Sequence, residues 1–283
     1  MNYEKPKLTG ERMTPEINRD DLIYAEHIIR YFFGSQFVRN KVVLDVACGS
    51  GYGSFYLHEK GAKKVFGLDI SKEAINYAQN KYWNPGIEYM VGNAENIPFK
   101  DNKFDVVISF ETIEHLKNQE KFLKEMKRVM KKNGIAIIST PNALVYPKGN
   151  IFHIKEMALP ELKKLLYKYF KNLNLYYQHN VLSSYILNEE SINKCFNKVT
   201  TKNIKLSKLS SNLNLYLVSI MSDGKIPKAM EYVALFNDRE LKVSQKELQL
   251  CQREIQNIYN SRGWKIFSFL HRVRKSIPIL KNL

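Results

Sequence analysis

Between residues 41 and 142, apolar and polar positions alternate between two rhythms. Short apolar runs rich in β-branched residues read as buried strands: Val42–Val46, Lys64–Ile70, Ile87–Val91, Phe104–Phe110 and Ile135–Ser139. Helical spacing fills the intervals. Phe55–Lys60 continues a first helix that Gly61 ends. Ser71 caps a helix running to about Lys81. Gln119–Lys131 is amphipathic, with Phe122, Met126, Val129 and Met130 inward and Asn133-Gly134 as its stop. This regularity predicts a parallel sheet with helices on both faces.

The flanks follow other patterns. Residues 1–40 read as a helical cover. Thr14-Pro15-Glu16 starts the helix, and Ile17, Ile23, Tyr24, Ile28, Tyr31 and Phe32 form its apolar stripe. After Pro141, Leu159–Phe170 looks helical, while Leu173–Gln178 and Leu213–Met221 read as an antiparallel pair closing the sheet. The main domain is therefore expected over residues 41–225. Inside it, the polar stretch 181–211 is an insertion suited to substrate specificity. A helix is expected over residues 226–260. Ala234, Leu241, Leu248 and Ile255 repeat every seven, with Asn237, Ser244, Cys251 and Ile258 interleaved. That pattern suits a short coiled coil and a homo-oligomer. Residues 261–283 form a basic, aromatic tail with Arg262, Trp264, Lys265, Phe267, Phe269, Arg272, Arg274 and Lys275 and no acid.

Composition narrows the partners. Of 283 residues, 44% are hydrophobic, enough for a real core. A net charge of +16 favours something anionic: nucleic acid, a phosphorylated sugar or lipid, or a membrane surface. Cys48, Cys195 and Cys251 are odd in number and lack metal-type spacing, which suits a reducing compartment. No apolar signal core and no bilayer-length apolar run occur, so a cytoplasmic location is expected, with peripheral contact at the inner face of the membrane.

The candidate chemistry starts at Gly49, Gly51 and Gly53, which follow the first strand. A strand, a glycine turn and a helix open a nucleotide-binding βαβ unit. The glycine spacing differs from the dinucleotide fingerprint. Asp69 ends the second strand, where a carboxylate can accept bonds from both ribose hydroxyls. Glu111-Thr112-Ile113-Glu114-His115 follows the fourth strand. If a helical turn begins there, Glu111, Glu114 and His115 share one face at i, i+3 and i+4. Two carboxylates and an imidazole are credible ligands for a divalent cation such as Mg or Mn. A metal-free His115 base and purely structural roles for the two acids are the other readings.

Four stretches in order resemble class I S-adenosylmethionine-dependent methyltransferases: Val-Leu-Asp-Val-Ala-Cys-Gly-Ser-Gly-Tyr-Gly, Gly-Leu-Asp-Ile-Ser, Val-Gly-Asn-Ala-Glu-Asn-Ile-Pro-Phe and Phe-Asp-Val-Val-Ile-Ser-Phe-Glu-Thr-Ile-Glu-His-Leu. They cover roughly Lys41 to Asn142. The resemblance implies a Rossmann-like seven-stranded sheet with its last strand antiparallel, and S-adenosylmethionine as cofactor. It implies that Asp45 and the turn, with Ala47, hold the methionine end, and that Asp69 takes the ribose. Asn93, Ala94 and Glu95 would lie by the adenine, with Ile70 and Phe110 completing the cofactor set. Many members have Asp where this chain has Asn93.

Glu-x-x-Glu-His resembles the metal motif of small-RNA 2′-O-methyltransferases and a segment of ubiquinone-pathway O-methyltransferases. Such a site needs a further His, for which His153 is the candidate. Gly10-Glu11-Arg12-Met13, Glu26-His27-Ile28-Ile29-Arg30-Tyr31 and Phe152-His153-Ile154-Lys155-Glu156 resemble methyltransferases of bacterial surface-polysaccharide synthesis. There the N-terminal helix covers the cofactor, which implies donor contacts for His27, Arg30 and Tyr31; packing of the helix on the domain is the other reading of the same residues. Ser261-Arg262-Gly263-Trp264-Lys265-Ile266 resembles a C-terminal segment of O-antigen and capsule enzymes, suited to an anionic membrane or a membrane-bound polysaccharide synthase.

The resulting expectation is an S-adenosylmethionine-dependent O-methyltransferase acting on a sugar, sugar phosphate or glycan precursor of the bacterial surface. An RNA 2′-O-methyltransferase is the first alternative. It is disfavoured because the basic residues are scattered or confined to the tail and no stacking module is evident. A donor-binding scaffold that recruits partners through its C-terminal helix is the second.

Overall fold

The computed structural model describes residues 13–14, 22–180 and 215–230. They belong to a compact unit spanning Met1–Leu235; a second unit, Phe236–Leu283, lies outside the described residues. The parallel core strands form where the apolar runs placed them. They are β1 (Val42–Val46), β2 (Lys64–Asp69), β3 (Ile87–Val91), β4 (Phe104–Ser109) and β5 (Met130–Pro141). β6 (Asn172–Gln178) and β7 (Tyr216–Ser222) complete one seven-stranded sheet in the order β3-β2-β1-β4-β5-β7-β6. β1 to β5 are mutually parallel, and β7 runs antiparallel to both β5 and β6. The expected Rossmann-like sheet, with its antiparallel final strand, is the observed one.

The helices are α1 (Leu22–Gly34), α2 (Tyr52–Glu59), α3 (Lys72–Lys81), α4 (Gln119–Val129) and α5 (Leu159–Tyr167). The period of two along each strand sorts its side chains onto two faces. Leu44, Val46, Val107 and Ile138 meet Phe122, Met126 and Leu162 from α4 and α5. Val43, Val65, Ile108 and Ile220 meet Tyr31, Tyr52 and Leu57 from α1 and α2. Ser71 caps α3 as expected, accepting the Ala74 N–H at 3.2 Å, a bond worth about 1 kcal/mol to the helix. Asn118 does the same for α4 through Lys121.

Two expected boundaries move. α4 ends at Val129, not Lys131, and Met130 is already extended. Met130 is buried and pairs with Phe104, while Lys131 reaches the Asp105 carboxylate at 2.8 Å. Asn133-Gly134 therefore lies within an irregular stretch of β5 instead of ending a helix. Gly134 is required there, because a Cβ would lie 2.5 Å from the Met130 side chain. Nor does a helix begin at residue 226: residues 225–230 carry no regular structure. Met230 instead exchanges bonds of 2.7 and 3.2 Å with the Gln36 side chain, tying this segment to the short turn that follows α1. The expected coiled coil over 231–260, the tail 261–283, the insertion 181–211 and the start of the cover helix lie outside the described residues.

Candidate active site

The carboxyl ends of β1, β2 and β4 meet at one edge, where parallel α/β sheets bind ligands. Two non-glycine residues adopt left-handed backbone at this edge: Ala47 (φ 60°) after β1 and Glu111 (φ 49°) after β4. Such strain persists only where surrounding contacts fix it, and it concentrates at functional sites.

The three glycines of the turn are not equivalent. A Cβ on Gly51 would lie 2.5 Å from Ala78, and one on Gly53 would lie 2.0 Å from the Tyr31 ring. Both are small so that α1 and α3 can pack against the turn. Gly49 (φ 54°) faces open space. Of the three, Gly49 leaves room at its Cβ position for a ligand to approach the backbone. Its N–H donates to Asp69 at 2.9 Å, and the other Asp69 oxygen accepts the Ser71 N–H at 2.9 Å. Asp69 is thus held rigidly at the end of β2, with Ile70 beside it 68% exposed. The open Gly49, the fixed carboxylate and the uncovered apolar side chain fit a nucleoside: backbone approach, ribose hydroxyls and an adenine face respectively.

Asn93, Ala94 and Glu95 form a short turn after β3. The Asn93 side-chain oxygen accepts the Glu95 N–H at 2.8 Å, and the Glu95 carboxylate accepts the Asn118 N–H at 2.9 Å. Both side chains have local structural work, and the turn they make borders the same edge.

Asp45 lies beneath the turn, fully buried. Ser54 donates to it at 2.7 Å and Tyr31 at 3.2 Å. Burial, against the opposing pull of these bonds, pushes its carboxyl up to about 7. Tyr31 and His27, expected at the donor, face inward. Tyr31 packs edge-on against Tyr52 and Phe110, and the His27 ring bonds to the Tyr52 hydroxyl at 3.1 Å. Phe110 is likewise packed under α1, against Gly34. Asp45, Tyr31 and Phe110 are buried and brace the turn, while His27 is half-buried beside them.

An acid with a raised folded pKa favours the fold most when protonated. The Asp45 contribution is therefore complete below pH 3.8 and is lost as pH rises to about 7. Asp45→Asn should remove that dependence. The melting curve of the variant should gain on wild type across the window by roughly 4 kcal/mol in total, measured by denaturant melts at stepped pH.

The second cluster follows β4. The helical turn begins at Ile113, so Glu111 lies outside it and the shared i, i+3, i+4 face does not form. Glu111 instead takes the Ser139 hydroxyl at 2.6 Å and pairs with Arg30 at 3.8 Å. This removes it from the expected metal set. Glu114, His115 and His153 do converge, with one ligand atom from each lying within 4.8 Å of the others. Their rings and carboxylate are oriented from behind. His115 Nδ1 lies 3.0 Å from the Phe152 carbonyl, which can only accept, so Nδ1 carries the proton and Nε2 the lone pair. His153 Nδ1 meets Glu156 at 2.5 Å, and the Asn150 amide donates to its Nε2 at 3.0 Å, a bond that a cation on Nε2 would displace. Glu114 is fully buried; Thr140 donates to one oxygen at 3.1 Å, and the other oxygen has no hydrogen-bond partner. Burial, with the nearby Glu111 charge, raises the Glu114 carboxyl well above the carboxylate range. An orphaned carboxylate oxygen beside two oriented imidazoles fits a divalent cation.

Beside this cluster opens a pocket of about 420 Å³ lined by Glu26, Tyr146, Lys148, Asn150, Leu215 and Tyr216. Tyr146 stands between the Tyr216 and His153 rings, at 5.7 and 5.5 Å. Arg30, under the Tyr216 ring, holds α1 to β6 through Gln178 at 2.8 Å. Glu26 accepts from Tyr216 at 2.7 Å and from Asn180. Sequence reasoning missed this pocket because its residues come from three distant segments. One available signal was Glu156, three residues after His153.

Residues 44–138 match the family described as methyltransferase domain. A protein named as a probable S-adenosylmethionine-dependent methyltransferase of Mycolicibacterium smegmatis is 32% identical over 164 residues, covering 56% of this chain and 63% of that protein. Its Mycobacterium tuberculosis counterpart is also 32% identical, with 59% of its length covered. The chain thus spans less than two thirds of either relative. Norajmaline N-methyltransferase of Rauvolfia serpentina is 34% identical over 139 residues, covering 48% of this chain and 46% of that protein. A chain from the complex between the Haloferax volcanii Trm112 methyltransferase activator and a methyltransferase shares the fold, with TM-score 0.52 at 16% identity over 75% of this chain and 95% of that one. The stretch Leu44–Ile138, which carries the glycine turn and Asp69, is thus similar to a methyltransferase domain, and the seven-stranded sheet around it has the fold of such enzymes.

Proposed function

We propose that this chain methylates a hydroxyl of a sugar, sugar phosphate or glycan precursor of the bacterial surface, at the cytoplasmic face of the membrane, using a divalent cation held by Glu114, His115 and His153. One observation carries the reading: the pocket beside the cation cluster combines two tyrosine rings with Glu26, Lys148 and Asn150. Aromatic faces and short polar side chains together suit the C–H face and hydroxyls of a sugar. Two imidazoles and one carboxylate favour Mn over Mg, which prefers an all-oxygen shell.

When bound at the glycine turn, S-adenosylmethionine supplies a methyl group on a cationic sulfur. Gly49 and Asp69 fix the nucleoside, and the pocket orients the acceptor hydroxyl toward the end of β4. The hydroxyl oxygen bonds to the methyl carbon as the carbon–sulfur bond breaks, its electron pair leaving on sulfur. The hydroxyl proton must go to a base. A cation in the cluster would acidify that hydroxyl. Without one, His115 Nε2 carries the lone pair able to take the proton. The C-terminal helix and tail are proposed to supply self-association and contact with a membrane-bound synthase.

The test is transfer of labelled methyl from S-adenosylmethionine into a cell-envelope extract, with mass spectrometry of the product. Label in glycan, lost on chelation and restored by Mn, is the expected result. Label in RNA instead refutes the acceptor class. Full turnover after chelation removes the cation and leaves His115 as base.

A further inference from the structure

We infer that the excursion between β5 and α5 is a membrane-docking loop that seats on an anionic lipid bilayer. The excursion leaves the sheet at Asn142 and returns at Met157. Its ends are closed on each other by a bridge between those residues and by the Ala143 N–H donating to the Met157 carbonyl at 3.3 Å. That makes residues 143–156 a compact loop with an inner and an outer side. The inner side is fixed to the active site: the N–H groups of Ile154 and Lys155 both donate to the Glu114 carbonyl, at 2.9 and 3.0 Å. The outer side is apolar where water should forbid it. Ile151 is 88% exposed, Leu144 68%, Ile154 55% and Phe152 44%. Four large apolar side chains exposed on one short loop mark an interaction surface, not stray surface residues.

Charge selects the occupant. Lys148 and Lys155 stand exposed among these side chains. The only acid of the loop, Glu156, is taken up by His153. Apolar side chains beside lysines, with no exposed acid, match the interface of a bilayer carrying anionic headgroups. A second copy of the chain is a poor occupant, because each copy carries a net charge of +16 and would present lysines to lysines. The loop also supplies Tyr146, Lys148 and Asn150 to the pocket. A docked loop therefore sets the pocket at headgroup level, where a lipid-carried acceptor presents its polar group. That last consequence rests on the acceptor reading above; the docking surface does not, since vesicle binding requires neither donor nor acceptor.

The test uses the full chain, floated with phosphatidylcholine vesicles with and without phosphatidylglycerol. Wild type should float only with the anionic vesicles. Changing Leu144, Ile151 and Ile154 together to Ser should lower the partition coefficient about tenfold or more, with unchanged thermal melting and unchanged S-adenosylmethionine affinity. On anionic vesicles, Ile151→Trp should add a blue-shifted emission beyond that of the native Trp83 and Trp264. Wild-type flotation by the triple variant overturns the inference, assigning any binding to the tail. Equal flotation with pure phosphatidylcholine overturns the anionic commitment. A change of oligomeric state in the triple variant overturns it in favour of contact between copies.

Discussion

His115→Ala is expected to lower methyl-transfer turnover about 10³-fold while leaving S-adenosylmethionine affinity within about twofold. The separation follows from position. His115 follows β4, at the acceptor side of the edge, whereas the donor turn is built on β1 and β2. The imidazole is oriented by the Phe152 carbonyl, so its Nε2 lone pair is set by backbone and not by chance rotation. Both assignments for Nε2, cation ligand or base, require that lone pair, and both lose it in the variant. His115→Gln offers an amide oxygen and nitrogen but no basic nitrogen. It should recover part of the turnover if His115 holds a cation and none if it takes the proton. Turnover under saturating donor, with affinity from calorimetry, reads the two effects apart. A His115→Ala enzyme of normal turnover would place the chemistry elsewhere.

Asp69→Ala should weaken S-adenosylmethionine about a hundredfold. Hydrogen bonds to a charged group contribute about 1.5–3 kcal/mol each, and 1.4 kcal/mol is a factor of ten. Two ribose bonds, partly offset by solvation of the free ligand, account for that loss. Asp69 also accepts the N–H groups of Gly49 and Ser71, so its removal loosens the turn itself. Asp69→Asn separates these roles. It keeps one acceptor oxygen, and it should bind the donor with intermediate affinity and nearly normal thermal stability. Unchanged donor affinity in Asp69→Ala would refute the ribose assignment.

The sheet was legible because burial on both faces leaves a strand little choice but an apolar run, and each run lay where β1 to β5 formed. Ser71 was legible as a cap because capping is a local bond. What failed was decided at a distance. Gly53 reads like a ligand-facing glycine until Tyr31, from another helix, fills the space beside it. Met130 continues a helical pattern, yet it enters β5 because Phe104 offers a ladder position and the core a cavity for its side chain. Glu111 fits the motif spacing, but the spacing alone cannot show that its backbone turns left-handed and sends the carboxylate to Arg30 and Ser139. His153 was reachable from its motif; the pocket, assembled by Glu26, Tyr146 and Tyr216 across almost the whole described chain, was not.

The antiparallel pair β6–β7 has a consequence for how acceptor choice can diversify. Asn180, just past β6, bonds to Glu26, and Leu215, just before β7, lines the pocket with Tyr216. The chain thus leaves the described fold at Asn180 and rejoins it at Leu215, both beside the pocket. The ladder from Asn172–Ser222 to Gln178–Tyr216 is complete without it. Doubling the length of such a connection costs only about 0.6 kcal/mol in closure entropy. The ladder thus fixes both ends of that connection, and replacing what joins Asn180 to Leu215 should leave the sheet, the Gly49 turn and the Glu114 cluster as they are.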